Sequence, residues 1–159
     1  MKTTDQWLEA YGESHQNRTN KVIHWVCVPL IMLSVLGLLW SIPHGYLSAP
    51  FPGVPGDFIN WATITVVVAS LFYLRLSLPL FVGMVAISAA MLVICYLVDH
   101  SPLPLVGSSI LVFVLAWIGQ FVGHRIEGKK PSFFQDLLYL LIGPAWLLGF
   151  VYRYFGIRY

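Results

Sequence analysis

Charged residues are scarce in this chain. Of its 159 residues only 10% are charged, and nine basic residues against seven acidic ones give a formal net charge of +2. Charges this few and scattered exclude the basic patch that a nucleic-acid partner requires. In contrast, 58% of the residues are hydrophobic and the mean hydropathy is +0.76. We therefore expect an integral membrane protein.

Paired cysteines are also lacking. The two cysteines, Cys27 and Cys95, lie inside apolar runs. Their positions show none of the spacings of a disulfide framework or a zinc site, so we interpret them as packing residues. The length and the absence of internal repeats predict one membrane domain over residues 1–159.

Long uncharged runs, however, are abundant. A helix needs about 20 mostly apolar residues to cross the roughly 30 Å hydrocarbon layer. Four runs qualify, and each is bounded by proline, glycine or a charge. A fifth stretch, residues 133–155, is interrupted by Gly143 and Pro144, which is typical of a re-entrant or interfacial segment. The four runs are approximately residues 22–42, 58–74, 78–98 and 103–122.

The basic residues predict the orientation, because cytoplasmic loops carry an excess of lysine and arginine. These residues precede the first run, join the second to the third, and follow the fourth, whereas the other two connections have none. If residues 133–155 do not cross, all nine basic residues share one side; if they cross, Arg153 and Arg158 lie outside. We predict an all-α four-transmembrane-helix bundle with both termini cytoplasmic, in a bacterial inner membrane or an endoplasmic reticulum.

The polar N-terminal segment has a helical pattern of its own. Thr3 and Gln6 have the spacing of a capping box, and Trp7, Leu8 and Tyr11 fall on one helical face. This pattern predicts a short interfacial helix on the cytoplasmic surface, with a frayed tail as the alternative.

The predicted topology divides the five histidines into two groups. His15, His24 and His124 lie at the cytoplasmic ends of their segments, and His44 and His100 lie in the opposite connections. Ligands of one metal ion must converge within a few ångströms, so the two groups cannot share a site. Only the cytoplasmic three are candidates for a common metal.

His15 and His24 can meet only if the chain turns between them. They are nine residues apart, which places them on opposite sides of a continuous helix. Residues 17–20 are a plausible place for the turn. Asn20, four residues before His24, shares its helical face.

A second polar cluster lies at the end of the fourth run. Gln120, His124 and Glu127 are spaced by four and three residues, so an amide, an imidazole and a carboxylate share one face. A histidine and a carboxylate at this spacing form a common metal-binding arrangement in helical bundles. Imidazole and carboxylate ligands suit iron, zinc or manganese. We therefore take Glu127, Asn20 and Gln120 as candidate catalytic residues beside the three histidines.

These residues resemble the two signature blocks of the Mpo1-like family of small membrane proteins. The resemblance covers the whole chain, from the polar N-terminal block through the hydrophobic hairpins to the proline-containing tail. Its two blocks are Tyr11, His15, Asn20, His24 and Pro29, and Gln120, Gly123, His124, Glu127, Gly128 and Pro131.

The resemblance implies an Fe(II)-dependent dioxygenase that shortens a 2-hydroxy fatty acid by its carboxyl carbon, using molecular oxygen and no 2-oxoglutarate. It implies that His15, His24 and His124 bind the metal. Glu127 is then a fourth ligand or a supporting base. The substrate would place its 2-hydroxycarboxylate on the iron and its tail between the helices, among membrane lipid. Basic residues near the site are candidates for attracting the carboxylate, namely Arg18, Lys21, Arg125, Lys129 and Lys130.

The chain departs from the family pattern at two positions. Cys27 stands where the family usually has glycine, which we expect to alter helix packing. Phe150 stands near a position where the family often has an acid, so one candidate ligand or supporting group is absent.

Two other functions compete with the enzyme. A haem or electron-transfer protein would use His24 and His124 and leave His15 and Glu127 without a role. A non-catalytic lipid-binding protein would keep the fold alone, which retention of the His and Glu set disfavours. A multi-histidine di-iron hydroxylase is excluded, because it needs about eight histidines.

Overall fold

The computed structural model describes residues 3–48, 56–131 and 138–159, and every regular element among them is helical. Three helices, α2, α5 and α6, are long and apolar enough to cross a membrane, and α4 is a shorter apolar helix. The predictions of an all-helical chain and of helices long and apolar enough to cross a membrane are confirmed for the described residues. The helices are α1 (Thr4–Gly12), α2 (Arg18–Trp40), α3 (Gly45–Ser48), α4 (Trp61–Leu76), α5 (Leu78–Asp99), α6 (Leu105–Glu127) and α7 (Tyr139–Tyr154), with one 3-10 turn at Gly56–Phe58.

The N-terminal helix is confirmed. The hydroxyl of Thr3 accepts a hydrogen bond from the Gln6 amide, and the Thr3 amide donates to the Gln6 side chain, which completes the capping box. Trp7, Leu8 and Tyr11 are buried against residues of α7. The apolar face of α1 is therefore packed on the bundle, and the segment is not a frayed tail.

The turn between His15 and His24 lies earlier than predicted. α2 begins at Arg18, because the Asn17 side chain accepts hydrogen bonds from the Thr19 and Asn20 amides, at 2.8 and 3.4 Å. The prediction of a turn at residues 17–20 was wrong, because Asn17 caps the helix and Asn20 lies inside it.

The predicted break at Gly143 and Pro144 was also wrong. α7 continues through both residues. Proline removes a donor from a helix, here the amide that would bond to the Leu140 carbonyl, and helices in membranes tolerate this loss. The hydroxyl of Tyr73 donates to the adjacent Leu141 carbonyl at 2.9 Å, which ties this part of α7 to α4. Gly143 provides room for Tyr11, whose hydroxyl oxygen would lie 2.9 Å from a Cβ there. Residues 133–137 of the predicted fifth stretch lie outside the described residues.

Small residues bring α2 and α6 into close contact. A Cβ on Gly119 would lie 2.6 Å from the Cys27 sulfur, and one on Gly123 would collide with the Asn20 side chain. Small residues are the usual means of close helix approach in membranes. Cys27 is a free, buried packing residue, as predicted.

One end of the bundle gathers several polar connections. The Thr4 hydroxyl donates to the Leu76 carbonyl at 2.6 Å, which joins α1 to the end of α4. The Gln16 amide donates to Glu127 at 2.8 Å, which joins the start of α2 to the end of α6. We call this the N-terminal end of the bundle, and the end that carries His100 the opposite end.

Candidate metal centre

Three histidines from separate elements meet at the N-terminal end. His15 follows α1, His24 lies in the second turn of α2, and His124 lies in the last turn of α6. All three are buried. One ligand nitrogen of each lies within 4.8 Å of the other two, and within the described ranges no other set of three or more His, Cys, Asp or Glu side chains meets this criterion.

Backbone carbonyls orient two of the rings. His15 Nδ1 lies 2.6 Å from the Tyr11 carbonyl oxygen, and His24 Nδ1 lies 2.9 Å from that of Asn20. A carbonyl only accepts, so each Nδ1 carries the proton and each Nε2 presents a lone pair. Hydrogen bonds of this kind fix the tautomer of metal-binding histidines.

The two lone pairs face each other. His15 Nε2 and His24 Nε2 are 2.9 Å apart. Burial and the neighbouring His24 lower the pKa of His15 to about 3, so this ring is neutral at physiological pH. No added proton therefore offsets the repulsion between the two nitrogen lone pairs. Two ligand nitrogens at right angles, each about 2.1 Å from one ion, are about 3.0 Å apart. The observed separation therefore fits a shared cation.

His124 supplies the third nitrogen. Its Nδ1 is buried and has no hydrogen-bond partner. Leaving such a group unpaired costs roughly 1–3 kcal/mol, a cost that a bound cation removes. The ring centre of His124 lies 5.0 Å from that of His15 and 4.9 Å from that of His24. Three neutral imidazoles fit iron, zinc or manganese.

Glu127 contacts the segment that carries His15. One carboxylate oxygen accepts from the Gln16 amide at 2.8 Å, and the other accepts from the Asn17 amide at 2.9 Å and the Asn20 side chain at 3.0 Å. Both oxygens therefore hold the polypeptide between α1 and α2. Glu127 does not belong to the histidine group whose ligand atoms converge.

Both predicted amides adjoin the histidines. Asn20 is fully buried, donates to Glu127 through its side chain, and holds His24 through its carbonyl. Gln120 is buried one turn before His124 and lines the same cavity as His24.

The predicted cations lie at different depths. Arg18 and Arg125 are exposed. Lys21 is half-buried and borders a cavity of about 400 Å³ that His15 also borders. Sequence reasoning missed Arg153 of α7, which borders the same cavity.

Two aromatic residues also surround His15. The Tyr11 ring stacks on the His15 ring with 4.2 Å between centres, and the Trp146 ring lies 5.3 Å away. Tyr11 was visible in the first signature block. Trp146 was missed, because it reaches the site from α7 and no local spacing relates it to the histidines.

A second cavity, of about 410 Å³, opens from the histidines into the bundle. His24, Gln120 and His124 form its polar end, and Leu36 and Phe113 lie deepest in the membrane-crossing helices. From His24 to Leu36, twelve residues of α2 span about 18 Å. We call this the acyl cavity, because its walls away from the histidines are almost wholly apolar.

Comparison with known proteins identifies a family for this chain. A family model described as 2-hydroxy-palmitic acid dioxygenase Mpo1-like matches residues 1–155. The chain is 28% identical over 148 residues to the Saccharomyces cerevisiae protein named 2-hydroxy-palmitic acid dioxygenase MPO1. The match covers 92% of this chain and 78% of the yeast protein. No solved structure matches. The family match spans nearly the full length and includes all three histidines, so the chain belongs to the Mpo1-like family.

Proposed function

We propose that this protein is an iron(II)-dependent dioxygenase that cleaves the C1–C2 bond of 2-hydroxy fatty acids. The observation that carries this proposal is the continuity between the buried imidazoles and the acyl cavity. A substrate with a chelating head and an apolar tail matches both parts. The description of the family and the name of the yeast relative support a 2-hydroxy fatty acid substrate.

His15, His24 and His124 would hold the metal. Three protein nitrogens leave coordination positions for substrate and oxygen, as in other oxygen-using ferrous sites. When bound, iron(II) supplies oxygen activation and a template for the 2-hydroxycarboxylate. Because all three histidines are neutral, the loaded site keeps a positive charge, which favours an anionic head group.

The reaction balances without a further reductant. A 2-hydroxy acid and one molecule of oxygen give a carboxylic acid one carbon shorter, carbon dioxide and water. The C1–C2 bond breaks, and the four electrons that oxygen accepts all come from the substrate. No 2-oxoglutarate is therefore required.

The acyl cavity would hold the tail. The cavity is about 18 Å long along α2. The hydrocarbon part of one leaflet is about 15 Å thick, half of the roughly 30 Å hydrocarbon layer. An acyl chain drawn from the membrane therefore fits between the histidines and Leu36. The apolar walls also keep water away from the reacting carbons.

Polar side chains at the mouth of the cavity would orient the head. Gln120, beside His24, can hydrogen bond to the substrate hydroxyl or carboxylate. Lys21 borders the other cavity, beside His15. It is the best placed of the predicted cations, because its charge is partly shielded from water and acts more strongly than those of exposed Arg18 and Arg125.

We also propose four membrane crossings, by α2, α4, α5 and α6, with both termini cytoplasmic in a bacterial inner membrane or an endoplasmic reticulum. The helix α4 has 16 residues and is about 24 Å long, so it crosses with local thinning of the bilayer. Reporter fusions after α6, next to Lys129, and at the N-terminus should report the same side; opposite sides would contradict this topology.

The direct test is iron quantification followed by a single-turnover reaction. Purified protein loaded anaerobically with iron(II) receives 2-hydroxypalmitic acid and then oxygen. We expect a product one carbon shorter, detected by mass spectrometry. A metal-loaded protein that binds the acid without consuming oxygen would instead be a lipid-binding protein, and a Soret band would identify a haem protein.

A further inference from the structure

The histidine that most needs support is His15. His24 and His124 lie on two closely packed helices, but His15 lies in the short connection between α1 and α2. Connections between helices are more mobile than the helices themselves. The 2.9 Å approach of the His15 and His24 nitrogens therefore depends on whatever fixes this connection.

Glu127 makes the contacts that fix it. Its carboxylate accepts hydrogen bonds from the amides of Gln16 and Asn17, directly after His15 in the chain, and from the Asn20 side chain. Charge-assisted hydrogen bonds are about twice as strong as neutral ones. The carboxylate also lies at the start of α2, where the helix dipole favours negative charge.

A second contact joins the same two segments. The Lys129 ammonium, just beyond the end of α6, donates to the Glu13 carbonyl at 2.7 Å. The connection is thus tied to the end of α6 on both sides of His15. These contacts hold His15 beside His124, which lies one turn before Glu127 on α6.

We propose that Glu127 is a positioning residue, which holds the connection after α1 so that His15 can bind metal, and is not itself a metal ligand. This inference rests on the proposed metal site. Three N–H donors occupy the two carboxylate oxygens, and coordination to a metal would require giving up contacts that order the connection.

The test compares Glu127→Gln and Glu127→Asp with the control Glu13→Gln. The glutamine has one acceptor oxygen and presents an NH₂ group where the second acceptor was, so at least one loop amide loses its partner. The control removes one negative charge from the same connection without removing any of these hydrogen bonds.

The first measurement needs no metal. Hydrogen exchange of at least one of the Gln16 and Asn17 amides in metal-free protein should be about tenfold faster in Glu127→Gln, because its protecting hydrogen bond is lost. In Glu13→Gln it should stay within about twofold of wild type. Unchanged exchange in Glu127→Gln would overturn the proposal.

The second measurement is cobalt(II) binding, followed by visible absorption. We expect Glu127→Gln to raise Kd roughly 10- to 100-fold, and Glu127→Asp to fall between it and wild type. The absorption spectrum of each saturated variant should match wild type, because the three histidines remain the protein ligands. A changed spectrum at saturation would make Glu127 a ligand and overturn the proposal.

The two measurements separate this inference from the proposed function. If the wild-type protein binds no metal, the proposed function fails, while hydrogen exchange still decides whether Glu127 holds the connection. If wild type binds metal but Glu127→Gln binds it equally well, the proposed function stands and the positioning role fails.

Discussion

Both ends of the bundle carry histidines, but only one end brings them together. At the N-terminal end His15, His24 and His124 are buried and in contact. At the opposite end the His100 side chain is 50% exposed and lies 4.0 Å from the similarly exposed Asp57. An exposed pair of this kind contributes little, because water screens it. Burial and convergence, not residue type, distinguish a candidate site.

The two ends also use aromatic packing differently. At the opposite end Trp40 packs edge-on against Phe58, and its indole N–H donates to Asp99 at 3.2 Å. At the N-terminal end Tyr11 and Trp146 pack around His15, whose Nε2 faces that of His24. Aromatic packing therefore stabilises both ends, but within the described residues only the N-terminal end brings imidazole nitrogens together for a ligand.

The largest effect should come from the three buried histidines. His15→Ala, His24→Ala and His124→Ala each remove one expected ligand. We expect each to lower iron affinity by more than the roughly 10- to 100-fold that loss of a supporting hydrogen bond causes. Circular dichroism should remain helical, because apolar packing holds the bundle. Wild-type iron content in any of these variants, measured by elemental analysis, would contradict the common site.

The next effect should come from filling the acyl cavity. Ala69→Phe places a ring in the cavity wall, and Ala90→Phe places the same ring on the exposed face of α5 as a control. Excluding two methylenes costs about 1.6 kcal/mol, or roughly 15-fold in KM for long-chain substrates. Iron content should not change. An equal rise in KM in both variants would show that the added ring does not act by filling the acyl cavity.

A smaller effect should separate the cations at the N-terminal end. Lys21→Gln should raise KM for the carboxylate substrate about threefold to fivefold, because its half-buried charge attracts the head group. Arg18→Gln, an exposed neighbour, should change KM by less than about twofold. Equal KM values for the two variants in steady-state kinetics would contradict a role for Lys21 in binding the substrate.

The smallest effect should come from the histidines at the opposite end. His44→Ala and His100→Ala should leave iron content and turnover within about twofold of wild type, because neither residue approaches the site. Loss of iron in either variant would show that the two ends are not independent.

The sequence predicted the features that depend on periodicity and charge. The apolar runs predicted the long helices, and the distribution of basic residues placed His15, His24 and His124 together at one end. The local capping box predicted α1. Each of these features is set by residues that are close in the chain.

Features set by distant contacts could not be predicted in this way. α7 is tied to α4 by the hydroxyl of Tyr73, and the setting of His15 depends on Trp146 and on Glu127. The acyl cavity arises from side chains of several helices. The spacing of residues along the chain does not predict such contacts.

The most direct test of the central claim is X-ray absorption spectroscopy of the iron(II)-loaded protein, before and after anaerobic addition of 2-hydroxypalmitic acid. We predict one iron per chain with three imidazole nitrogens at about 2.1 Å, and additional oxygen ligands once the acid is present. Fewer than three imidazoles, or no change on adding the acid, would contradict the account.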